Sequence, residues 1–124
     1  MNVALWIAAG LLAAAFAAAG TVKLVTPRER LADRMSWTTD ATDTQVKALG
    51  ALELAGAIGL ILPAAFDIAP VLVPIAAVGL ALTMIGAIVV HVRHREGIPA
   101  AAPAIVLGLM CAFVAYGRFG PSPF

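Results

Sequence analysis

Four long apolar stretches, at 3–25, 46–65, 69–92 and 99–117, are separated by polar breaks of very unequal length. A helix rising about 1.5 Å per residue needs roughly 20 residues to cross a hydrocarbon layer about 30 Å thick, and each stretch has that length. The alternation of a barrel strand is absent, and backbone groups in lipid must be satisfied within their own segment, so the pattern predicts membrane helices. The breaks at 66–68 and 93–98 are short and make consecutive helices run antiparallel. The predicted fold is an all-α membrane protein, one four-transmembrane-helix antiparallel bundle spanning residues 1–124. The first loop, 26–45, is long enough for structure of its own. Pro27 follows Thr26 as a first helical residue would, and Leu31, Met35 and Trp37 fall on one side with Arg28, Arg30 and Arg34 on the other. That spacing predicts a short interfacial helix anchored by Trp37, with the T-T-D and T-D-T runs capping the second membrane helix.

Composition agrees with a lipid setting. Hydrophobic residues make up 62% of the chain and charged residues only 12%, against about 25% charged in an average soluble domain. The mean hydropathy of +0.99 is more than so small a water-facing globule could bury. The first stretch ends in small residues, as a cleaved signal does, but lacks a basic leader before Val3 and continues through Val25, which predicts a retained helix. Lys and Arg set the orientation. Arg28, Arg30 and Arg34, flanked by Lys23 and Lys47, lie at one membrane face with Arg93 and Arg95, whereas the other face has only Arg118. The positive-inside rule then places loops 26–45 and 93–98 in the cytoplasm and both termini outside a plasma membrane. A net charge of +1 by itself says nothing about nucleic acid, no nucleic-acid partner is expected, and Cys111 alone allows no internal disulfide.

The residue that stands out chemically is Glu53, the lone charge in A-L-G-A-L-E-L-A-G-A-I-G-L-I-L-P-A-A-F at 48–66. An acidic side chain near the bilayer centre costs about 2.5–3.5 kcal/mol unless it finds a partner, a proton or water. Gly50, Gly56 and Ala57 share its helical face, and small residues turn such a face toward protein. In the expected topology Lys23, Glu53, Thr83 and His91 all belong to the cytoplasmic half of the bundle. Glu53 is either an ion-pair partner of Lys23 that locks two helices or a carboxylate at the mouth of a ligand pocket, with His91 and Thr83 at comparable depth. His91 and His94 have no third ligand nearby, so no metal site is expected. Arg118 and Trp37 read as interface anchors, Arg118 snorkelling to the headgroups. No Gly-rich phosphate loop, nucleophile triad or carboxylate pair can be assembled, and no catalytic residue is assigned.

Five motifs occur in a telling order: G-T-V-K-L at 20–24, the long loop with Trp37, G-A-L-E-L-A-G-A-I-G-L-I-L-P at 50–63, G-A-I-V-V-H-V-R at 86–93, and A-Y-G-R-F-G-P-S-P-F at 115–124. Together they resemble the DoxX-like family of small bacterial membrane proteins, and the variant is most similar to actinobacterial members. Lys23, Glu53, His91 and Arg118 match the family's recurring polar positions. The resemblance implies work beside membrane redox and sulfur-handling complexes, since the family takes its name from a small membrane subunit of a thiosulfate:quinone oxidoreductase. The sequence supplies no redox centre, so quinone would be a bound ligand and not an electron carrier built into this chain. The leading expectation is binding of a lipophilic ligand such as a quinone near Glu53, or support of a membrane redox partner, without enzyme activity of its own. The alternative is a structural or assembly subunit whose Ala- and Gly-rich helices pack against copies of itself or another membrane protein. Proton-coupled transport of a small molecule comes third.

Overall fold

The computed structural model describes residues 1–27, 30, 42–93 and 98–124. The expected interfacial helix, Trp37, His94 and Arg95 lie outside the described residues. Among the described residues there are four helices and no strand: α1 (Asn2–Val25), α2 (Asp43–Ala65), α3 (Leu72–Arg93) and α4 (Ile98–Phe119). Each contains a stretch long and apolar enough to cross a membrane.

Helix ends follow local chemistry more than hydropathy. α2 starts at Asp43, ahead of the apolar run at Val46, because T-D-T-Q closes a capping box. The Thr42 amide donates to Gln45 Oε1 at 3.0 Å and the Gln45 amide donates to Thr42 Oγ1 at 3.1 Å, satisfying two donors that a helix start otherwise orphans. Asp43 adds a favourable charge at the positive end of the helix. At its other end α2 closes in a Schellman turn. The Ile68 amide reaches Pro63 O at 2.9 Å and the Asp67 amide reaches Ala64 O at 3.3 Å, with Asp67 itself left-handed at φ 52°. Ala69 is left-handed as well, at φ 47°, and α3 therefore begins at Leu72 instead of at residue 69. A left-handed non-glycine residue costs about 1–2 kcal/mol, of which aspartate recovers part through its short polar side chain and alanine recovers none. Ala69→Gly should therefore raise the unfolding free energy in detergent by up to about 1 kcal/mol after glycine's greater backbone entropy is subtracted. A lower midpoint for that variant would show that the turn needs alanine for another reason.

The helices pack in a ring: α1 on α2, α2 on α3, α3 on α4, and α4 back on α1. Leu5, Leu12 and Phe16 of α1, Leu60 of α2, Leu80 of α3 and Cys111 and Val114 of α4 are fully or almost fully buried between them. Large apolar side chains such as Ile58, Leu62, Leu82 and Leu109 face outward, where lipid solvates them. Two glycines are sockets for core residues. Gly56 receives Leu80, and Gly117 receives Leu5, so closely that a Cβ at either position would stand under 3 Å from the leucine.

Candidate functional site

Two buried charged clusters lie near opposite ends of α1. The first is built on a repeated local arrangement, G-T-V-K at 20–23 on α1 and G-A-L-E at 50–53 on α2. In each, a glycine stands three residues before the charge and so on nearly the same face. The glycines bring the backbones together. A Cβ on Gly20 would be 2.5 Å from Gly50 O, and one on Gly50 would be 2.8 Å from both Gly20 O and Lys23 Cβ. Beside this crossing Lys23 Nζ meets Glu53 Oε1 at 2.8 Å, with Lys23 only 7% and Glu53 only 2% exposed. Lys47 Nζ, one turn before Gly50, donates to Leu24 O at 3.0 Å and satisfies a carbonyl at the end of α1. Among the described residues no buried side-chain nitrogen or oxygen lacks a hydrogen-bond partner. The arrangement is electrically and sterically closed, because the two charges neutralise each other and backbone fills the space beside them.

The other two residues expected at this depth are placed differently. α2 and α3 meet where Gly56 touches Leu80 and Gly59 touches Ala76, and the same register continued by one turn puts Thr83 level with Glu53. Its hydroxyl nevertheless donates to Gly79 O of its own helix at 2.9 Å. His91 is half-buried two turns further on, in the last turn of α3. Among the described residues no group of three His, Cys, Asp or Glu side chains could hold a metal ion.

The second cluster surrounds Arg118, and it differs from the outward, snorkelling side chain that position in the sequence suggests. Arg118 is only 4% exposed. Its Nη1 donates to Asn2 Oδ1 at 2.8 Å and to Ser122 O at 3.0 Å, while the guanidinium carbon lies 3.8 Å from the Phe124 ring centroid and 5.8 Å from that of Trp6. The two rings meet edge to face at 5.6 Å. The chain turns back after α4 through Gly120 and Ser122, whose amides bond to Tyr116 O and Gly117 O, and this return lays the tail over the arginine. Sequence reasoning missed this cage because its parts come from residues at both ends of the chain, with only the R-F-G-P-S-P-F run as a local signal.

A sequence model of the DoxX-like family matches residues 7–114, which takes in the Lys23–Glu53 pair and most of each of the four helices but stops short of Arg118. No curated protein and no solved structure matches the chain.

Proposed function

The chain belongs to the DoxX-like family, and from that premise we propose that it is a non-catalytic plasma-membrane subunit that docks on and supports a membrane redox partner. In this reading the bundle is antiparallel, with loops 26–45 and 93–98 in the cytoplasm, both termini outside and Lys23–Glu53 in the cytoplasmic half. The observation that carries the reading is the outward face of α1. Gly10, Ala14 and Ala18 are all exposed and spaced four residues apart, and a Cβ on Gly10 would meet nothing within 4 Å. A small-xxx-small row lets another transmembrane helix approach closely, which is what drives association where lipid removes the hydrophobic advantage. The Lys23–Glu53 pair supports the same reading by holding the opposite face of α1 against α2, so that the row stays presented outward. A quinone held by Glu53 would require that pair to open; with the carboxylate and ammonium in contact, the helix-locking role is the better supported of the two.

Ala14→Leu, set in the middle of the row, should dissociate the protein from its membrane partner. Blue native gels of mildly solubilised membranes should show the high-mass species of the unmodified protein collapse to the lone subunit, with unchanged helical content. Persistence of the large species in the leucine variant, or its absence from the unmodified protein, would sink the docking role. Leu109→Ala on the lipid-facing side of α4 should leave the complex intact.

A further inference from the structure

We propose that the cavity beside Arg118 is a binding site for a phosphate oxyanion, carried by the headgroup of an anionic lipid. The cavity, about 220 Å³, is lined by Pro70, Val71, Pro74, Pro123, Phe124 and Arg118. A guanidinium has five N–H donors in a rigid fork and no way to shed its charge. Here both hydrogen bonds leave from Nη1 and both end on neutral oxygens, those of Asn2 and Ser122. Among the described residues Nε and Nη2 have no acceptor, and no carboxylate stands within ion-pair distance of Arg118; the acid of the other buried cluster is already matched by Lys23. No fully shielded side-chain nitrogen or oxygen among these residues lacks a partner, so the remaining donors are not sealed off, and Arg118 itself lines the cavity.

A buried cation with neutral partners alone is an unfinished electrostatic arrangement, because desolvation is offset only when an opposite charge completes it. The rest of the wall favours the same sign of ligand. Pro70, Val71 and Pro74 belong to the entry and first turn of α3, whose dipole presents partial positive charge. The remaining lining is apolar and stiffened by three prolines, which suits the glycerol and upper acyl carbons of a lipid. The fork of an arginine is matched to the paired oxygens of a phosphate, and Asn2 with Ser122 holds that fork in place.

The full chain, purified in a neutral detergent, can be probed by native mass spectrometry with phosphatidylglycerol, phosphatidylcholine and, separately, inorganic phosphate. One phosphatidylglycerol per chain should be retained in preference to phosphatidylcholine, and Arg118→Gln should weaken retention about five- to tenfold. Val71→Phe, which adds bulk at the cavity wall and leaves Arg118, Asn2 and Ser122 unaltered, should weaken it as well and keeps the test valid should Arg118→Gln fail to fold. Retention of inorganic phosphate with the same dependence on both positions would keep the oxyanion site and assign it a soluble ligand. Binding of neither phosphatidylglycerol nor inorganic phosphate, equal retention of phosphatidylcholine, or retention unaltered by both substitutions would overturn the proposal.

Discussion

Glu53→Leu alone should destabilise the protein by about 3–5 kcal/mol, and Lys23→Met alone by a similar amount, whereas the double variant should recover most of the loss. Each single change leaves one charge without its partner inside the bundle, where Lys23 and Glu53 are 7% and 2% exposed. The double change removes both desolvation penalties and puts apolar side chains of similar volume in their place. Unfolding by denaturant in bicelles would measure the cycle, and the informative quantity is the coupling energy between the two positions. Additive losses would mean that the 2.8 Å contact contributes no mutual energy. Wild-type stability in both single variants would mean that water or lipid headgroups reach the charges freely. Glu53→Gln gives a finer reading, because it keeps shape and hydrogen bonding while stranding the ammonium. Its cost should lie between those of the unmodified chain and Glu53→Leu.

The helices were legible because the chemistry that makes a membrane span is local. About twenty apolar residues in succession suffice, and no knowledge of neighbours is needed. The inward direction of Glu53 was legible for a related reason: Gly50 and Ala57 mark its face by helical spacing, and Lys23 is the nearest basic residue at the facing end of α1. Helix starts were less so where a cap or a turn outranked hydropathy, as at Thr42–Gln45 before α2 and at the left-handed Asp67 and Ala69 before α3. Thr83 shows a different limit. Its depth follows from register, but a hydroxyl in a helix has a local alternative in the carbonyl four residues earlier, and that bond is the one formed. Arg118 was the least legible, since its partner Asn2 is 116 residues away and its ring contacts depend on the tail folding back. Contacts that close a ring of helices leave no periodic trace in either segment. The family match stops at residue 114, so it too carries no information about that cage.

Glycine substitutions should separate sharply according to what stands opposite each position, which composition alone does not disclose for a chain with 11 glycines. Gly20→Ala should cost at least about 1–3 kcal/mol, the usual range for overpacking. Its new Cβ would lie 2.5 Å from Gly50 O and 2.9 Å from the Leu54 amide nitrogen, both backbone atoms that no rotamer change can move aside. α1 and α2 must then separate, and the first contact to lengthen is the Lys23–Glu53 bond one turn away. Gly10→Ala is the control, since it adds the same methyl to the same helix with nothing within 4 Å, and should be neutral or stabilising by up to about 1 kcal/mol through helix propensity. Combining Gly20→Ala with Glu53→Leu shows how the two features are linked. If the glycine crossing is what brings the charges together, the second change costs less in the Gly20→Ala background than in the unmodified chain. Equal costs in both backgrounds would mean that the pair forms independently of the backbone contact, with Lys23 long enough to follow Glu53 as the helices part.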